Sequence, residues 1–249
     1  MKNKKKTKPR TPYSILFKRI IIYSIITFFI TTIFTTIVFS FINPQYTWLM
    51  ISNRLSSEQN GGSRTFMHKW VDIDKISPNM ILAAVAAEDN KFLYHHGFDW
   101  EAIKKAWEYN RKGKKIRGAS TISQQTAKNV FLWPNRSWIR KGFEVYFTIL
   151  IEFFWSKKRI MEVYLNVAEF GKGIYGVESA SQIYYKKPAS KLSRYEAAML
   201  ATVLPAPSKR NPSKPSKYMY RYQQKILWNM KNLGKIEFKS KSKPHAKKK

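Results

Sequence analysis

Cysteine is absent from all 249 residues. The chain therefore has no disulfide framework and no thiolate metal site, and four histidines argue poorly for an all-histidine zinc centre. Acidic residues are scarce too: 15 Asp and Glu stand against 46 Lys and Arg, a formal net charge of +31. Such an excess seeks a polyanion, whether nucleic acid, an anionic membrane surface or a phosphorylated substrate. No internal repeat is present, and few segments alternate polar and apolar residues as half-buried strands do.

One stretch lacks charge altogether. Ile20 to Ile42 is apolar and, at about 1.5 Å per residue, long enough to cross a hydrocarbon core roughly 30 Å thick. A cleaved signal peptide is the rival reading, but the run is long for one and Phe39-Ser-Phe-Ile-Asn-Pro offers no small-x-small cleavage site. Lys2, Lys4, Lys5, Lys6, Lys8, Arg10, Lys18 and Arg19 crowd its N-terminal side, whereas the far side has no basic residue before Arg54. The positive-inside rule then keeps the N-terminus in the cytoplasm and exports everything after Asn43, with Tyr46 and Trp48 at the outer interface. Nucleic acid is not the expected partner of an exported domain. The charge is expected to meet lipid headgroups and lipid-linked phosphate at an anionic membrane surface.

The chain is accordingly expected to divide into a basic cytoplasmic segment (1–19), a transmembrane helix (20–42), a tether with a flap around Asn60-Gly-Gly-Ser (43–70), a mainly α-helical domain (71–233) and a basic disordered tail (234–249). Pro205, Pro207, Pro212 and Pro215 interrupt the helical pattern. A last helix from about Lys217 to Leu233 then places Tyr218, Tyr222, Ile226 and Met230 on one face.

Three stretches carry chemistry. Glu88 and Asp89 end a run of helix formers that begins at Met80. A carboxylate half withdrawn from water there has a raised pKa, suited to taking a proton near neutral pH; an ordinary solvated helix end is the alternative. From Gly118 to Asn129, Ser120 or Thr121 caps a helix that would align Ser120, Gln124 and Lys128, with Gln125 and Asn129 alongside. Paired amides suit sugar hydroxyls, which both donate and accept; a solvated face is the alternative. In the third stretch Ser137 caps a helix reaching Trp155, with Arg140, Glu144, Thr148 and Glu152 as a polar stripe. An exposed Arg140–Glu144 pair would contribute only about 0.3–0.5 kcal/mol. Arg136, Arg140 and Lys141 supply more cation than one pair needs, and together they suit a diphosphate. Two further blocks read as scaffold: Lys158 to Tyr185, with Glu162, Asn166 and glycines at 171, 173 and 176, and a core helix opened by a Ser193–Glu196 capping box.

In this order the blocks read Glu88-Asp-x-x-Phe92-x-x-His95-x-Gly97, Gly118-x-Ser-Thr-Ile-x-Gln-Gln-x-x-Lys-Asn129, Arg140-Lys-x-x-Glu144, the Tyr164-Leu-Asn block with Gly171 and Gly176, and Ala197-Ala to Pro205. From roughly Pro78 to Pro212 the chain resembles the peptidoglycan glycosyltransferases, glycosyltransferase family 51. These include the N-terminal domains of class A penicillin-binding proteins and the single-domain monofunctional transglycosylases. Tyr185, where phenylalanine is usual, is a small departure.

The resemblance implies a lysozyme-like helical domain with a smaller mobile jaw that dips into the membrane. It implies polymerisation of lipid II onto a growing lipid-linked glycan, with inversion at the anomeric carbon and release of undecaprenyl diphosphate. By similarity Glu88 is the general base, Glu144 lies with Arg140 and Lys141 near the departing diphosphate, and Lys128 and Arg136 hold phosphate. Asp89, Phe92, Ser120, Gln124, Gln125 and Asn129 are expected to line the cleft. A divalent cation, magnesium or manganese, could share the charge, although no carboxylate cluster marks its site. Moenomycin-type inhibitors are expected ligands, and the expected location is a bacterial cell membrane, with the catalytic domain extracellular or periplasmic. A transpeptidase is not expected, because Ser-x-x-Lys occurs only at Ser240 to Lys243 and no Lys-Thr-Gly follows. The alternatives are a lytic glycosidase of the same fold class and a non-catalytic basic membrane scaffold.

Overall fold

Two units make up the chain, residues 1–42 and 43–249, and a computed structural model describes residues 12–59, 66–113, 118–135 and 137–238 of them. The N-terminal basic run to Arg10, the Asn60-Gly-Gly-Ser loop, Arg136 and the tail beyond Phe238 lie outside the described residues.

The first unit is one helix, α1, Pro12–Phe41. Its stretch Ile15–Phe41 has a mean hydropathy of 2.2 and is long and apolar enough to cross a membrane, which suits an anchor. Its threonines do not break that character. Thr31, Thr32, Thr35 and Thr36 each return the hydroxyl to a carbonyl four residues back, at 2.8 Å, so these donors need no water. The helix also starts earlier than the uncharged run, taking in Lys18 and Arg19, whose long stems can carry their charges toward an interface.

The second unit is mainly α-helical, as expected. Its first element corrects one expectation. Within the stretch 43–70, expected as a tether with a flap, residues Trp48–Gln59 form helix α2, because Met50 finds a fully buried place and Asn53 donates to the Tyr175 hydroxyl at 2.9 Å. Strand β1, Met67–His68, then pairs in parallel with β3, Ile174–Tyr175, which pairs antiparallel with β2, Glu169–Gly171. This small sheet ties residues near 67 to the glycine-rich connection 100 residues later. Gly176 is required at its edge: with φ at +81°, an added Cβ would lie 2.8 Å from the Asn166 carbonyl.

Helix α3, Pro78–Glu88, opens with Ser77 as N-cap and proline at its first position. It is apolar on every side from Met80 to Ala86 and packs against α9, Arg194–Ala201, and α10, Lys217–Leu233. A second group forms around α5, Ile122–Phe131, which packs against α6, Trp138–Phe154, and α7, Lys157–Val167. Helices α4, Trp100–Arg111, and α8, Val177–Tyr185, complete the described α-helices. Serine caps recur where the sequence reading placed them, at Ser137 and, with Glu196, at Ser193. The loop 89–99 leaves α3 and crosses to the α5 and α6 group, and the candidate site lies at that crossing.

Candidate active site

Glu88 is the last residue of α3 and Asp89 its C-cap. Their carboxylates part company at once. Asp89 turns to α5: its Oδ2 accepts the backbone N–H of Ile122 at 3.0 Å, and both oxygens lie 3.0 Å from His95 Nε2. An anion against the first N–H groups of a helix is favourable, so Asp89 ties the two helix groups together.

The loop between them is clamped further on. Gly97 adopts φ +89°, its carbonyl accepts the Thr121 hydroxyl at 2.6 Å, and a Cβ there would meet Thr148 Cγ2 on α6 at 2.8 Å. Phe92 is sealed in the core beneath this loop, with Lys157 Nζ 4.6 Å above its ring. Lys157 also donates to Glu152 at 2.7 Å, and Ser123 donates to the same carboxylate. That cluster joins α5, α6 and α7 under the loop.

Glu88 turns to a different partner on α5. Gln125 Nε2 on α5 donates to its Oε2 at 2.6 Å, and the Gln125 carbonyl oxygen accepts from the buried Tyr164 hydroxyl at 3.3 Å. Glu88 Oε1 is buried without a hydrogen-bond partner among the described residues. Burial pushes the Glu88 carboxyl above its ordinary value; the Gln125 hydrogen bond and the charges of Arg210 and Lys128 oppose that shift without cancelling it. A carboxylate with one oxygen anchored, one oxygen unpaired among the described residues and a raised pKa can take a proton near neutral pH.

Glu144 on α6 is 4% exposed and accepts from Lys141 Nζ at 2.5 Å. The pair that forms is therefore Lys141–Glu144, three residues apart, and not Arg140–Glu144. Arg140 Nε is buried without a partner among the described residues, beside this pair in sequence. Two cations and a carboxylate thus share the first turns of α6, with Lys141 partly exposed.

The residues expected to line a cleft occupy different local settings. Ser120 precedes the N-cap and is exposed, because Thr121 caps α5, so Ser120 does not align with Gln124 and Lys128 as a helical stripe. Gln124 is buried as the capping-box partner of Thr121, its Oε1 accepting the Thr121 N–H at 3.0 Å. Phe92 is core, as described, and Asn129 is buried. Lys128 remains half-buried on α5, with its charge acting on Glu88. Among the described residues no three His, Asp or Glu side chains converge as metal ligands.

Sequence reasoning missed the contribution of α10. Tyr222 donates to the Ala87 carbonyl at 3.2 Å and Asn229 to the Ala86 carbonyl at 2.9 Å, satisfying two of the last acceptors of α3. Arg210 sits over the Tyr218 and Tyr222 rings at 5.1 and 5.6 Å. Nothing in the proline-rich context of Arg210 marks it in the sequence.

A model of the family described as Transglycosylase matches residues 54–231. The chain is 46% identical over 239 residues to the biosynthetic peptidoglycan transglycosylase of Pasteurella multocida, covering 94% of this chain and 97% of that one. It is 52% identical over 187 residues to the protein of the same name from Bacteroides thetaiotaomicron, covering 75% of each chain. Against the Escherichia coli protein of that name it is 53% identical over 191 residues, covering 76% and 79%.

Proposed function

This chain belongs to the transglycosylase family, and on that footing we propose that it is a membrane-anchored peptidoglycan glycosyltransferase that polymerises lipid II into β-1,4-linked glycan with Glu88 as its base. The observation that carries the reading is the state of Glu88: one oxygen held by Gln125, the other buried without a partner among the described residues, the carboxyl pushed up by burial.

In the proposed reaction Glu88 Oε1 takes the proton from the 4-hydroxyl of the incoming glucosaminyl unit. The 4-oxygen of that unit attacks the anomeric carbon of the growing chain from the face opposite the diphosphate. The carbon–oxygen bond to undecaprenyl diphosphate breaks, and the configuration inverts from α to β. Negative charge develops on the leaving diphosphate, so cations held in place there lower the barrier. Lys128, with Arg140 and Lys141 beside Glu144, supplies such charge, and Arg136 is a further candidate from sequence. Gln125 and Asp89 hold the base and its loop. Moenomycin-type phosphoglycolipids, which present a lipid-linked phosphate and sugars, suit the same groups.

The anchor and the charge fit this substrate. A lipid-linked sugar never leaves the bilayer, so an enzyme held beside it by α1 gains in effective concentration. The basic excess favours an anionic membrane surface. The cationic N-terminal flank supports a cytoplasmic N-terminus and a second unit on the outer side.

The test is incubation of the purified full-length protein with lipid II in detergent, products resolved on a gel. A ladder of glycan is expected from the wild type. Glu88→Gln should cut turnover by about 10²-fold or more while leaving lipid II binding intact. A variant that polymerises normally would remove Glu88 from the reaction.

A further inference from the structure

We propose that Arg210, in the segment between α9 and α10, is a positioning residue for the base: pinned by Thr202, Tyr218 and Tyr222, it holds a fixed positive charge toward the end of α3 and sets the pH at which Glu88 can accept a proton. The inference rests on the reading of Glu88 as the base.

The geometry begins with how Arg210 is held. Its Nη1 donates to the Thr202 carbonyl just past α9, and its guanidinium lies over two rings of α10, 5.1 Å from Tyr218 and 5.6 Å from Tyr222. A planar cation that stacks and donates at once is a task for arginine; lysine, a point charge on a flexible stem, holds such a place loosely. The ring that carries it also touches the base's own helix: Tyr222 donates to the carbonyl of Ala87, the residue before Glu88. Asn229, two turns along α10, takes the carbonyl of Ala86. Arg210, Tyr222 and the end of α3 therefore form one connected unit, and a cation at a helix C-terminus is favourable in its own right.

Among the described residues, five titratable groups act electrostatically on Glu88. Asp89 adjoins it on its own strand of chain, Lys128 faces it from α5, Tyr164 from α7, Tyr222 from α10, and Arg210 from the segment before α10. The tyrosines are neutral at working pH, since burial holds both above their ordinary value, Tyr222 at about 12. Asp89 is already bonded to His95 and to the Ile122 N–H. Among the described residues two cations remain, and their duties differ. Lys128 is assigned above to substrate phosphate, whose negative charge offsets it once the substrate binds. Arg210 is tied to the protein and keeps acting on Glu88. A positive charge favours the carboxylate, so Arg210 works against burial and keeps the base in its accepting form at lower pH than burial alone would allow.

The experiment uses full-length protein in detergent with glutamate ¹³C-labelled at the carboxyl, the Glu88 resonance identified by its loss in Glu88→Gln. Wild type, Arg210→Gln, which keeps a donor for Thr202, Arg210→Met and Arg210→Lys are titrated. Both neutral variants should move the Glu88 midpoint up by about one pH unit, and lysine should restore most of the shift. Midpoints that coincide in wild type and the neutral variants overturn the proposal, and so does a lysine variant displaced as far as they are, because shape rather than charge would then be responsible. In parallel, the acid limb of kcat/KM for lipid II should move by the same amount and in the same direction. Failure of the wild type to make glycan at any pH would sink the polymerase reading, and the titration would still decide whether Arg210 governs Glu88.

Discussion

Gln125 donates its side-chain amide to Glu88 across 2.6 Å, and through its other end it accepts the hydroxyl of Tyr164. A single amide on α5 thereby links the end of α3 to the core of α7. The contact commits one oxygen of the acid and orients the other. A carboxylate tied in this way loses less freedom when it takes up a proton in a defined direction, which is what positioning contributes to a proton transfer. Four outcomes follow from this and the neighbouring contacts.

Removing the charge of Glu88 should stabilise the protein at neutral pH. The folded-state pKa is raised above the ordinary carboxylate value by burial, so the ionised acid costs stability above that raised pKa. The cost disappears below the pKa of the unfolded chain, where both states are protonated. The melting temperature of Glu88→Gln should therefore exceed that of the wild type at pH 7, and the gap should close on acidification through the raised pKa to about pH 4. A gap that widens in acid would reverse the sign of the burial effect.

Gly97→Ala should destabilise by about 2 kcal/mol. The backbone there has φ +89°, and the new methyl would press on Thr148 Cγ2. Thr148→Ser removes that methyl and keeps the hydroxyl that bonds the Glu144 carbonyl at 2.6 Å. The double variant should recover the steric part of the loss and retain the backbone part. Urea unfolding of the four proteins separates the two; full recovery would mean that the positive φ costs nothing.

Lys157→Met should cost about 3 kcal/mol, because it leaves the Glu152 carboxylate buried with only the Ser123 hydroxyl. Adding Glu152→Gln should return a sizeable share, since the uncompensated charge is then gone. A double-mutant cycle by chemical denaturation measures the coupling, and additive effects would show that the pair does not act as one.

Lys128→Ala should weaken binding of undecaprenyl diphosphate, or of a moenomycin-type phosphoglycolipid, by about tenfold, the scale of one charge-assisted hydrogen bond. Isothermal titration in detergent reads this directly. Equal affinities would remove Lys128 from the phosphate site.

Much of the fold can be read along the chain because its causes are local. The uncharged run of α1, the serine caps of α6 and α9, and the apolar stretch of α3 each announce themselves within a few residues. The adjacent acids at 88 and 89 are equally visible. Which of them is spent on structure is not, since that depends on the Ile122 N–H and on His95, brought near only by the crossing of loop 89–99. Gln124 and Gln125 pose the same problem: neighbours in sequence, one closes a helix cap and the other reaches the base, and a shift of one residue in where α5 begins decides between them. Phe92 was expected in the cleft for its place in a motif, yet its ring is more favourably buried under Lys157.

By itself the sequence determined a helix long and apolar enough to cross a membrane, the helical class, the cationic character and the acids available for chemistry, because composition and short-range periodicity carry that information. Only the tertiary structure decided which carboxylate keeps an unpaired oxygen, that Lys141 rather than Arg140 meets Glu144, and that Arg210 and Tyr222 close on the end of α3 from more than a hundred residues away. Burial and charge act through space, and a separation in space is set by the packing of helices, not by the number of residues between them.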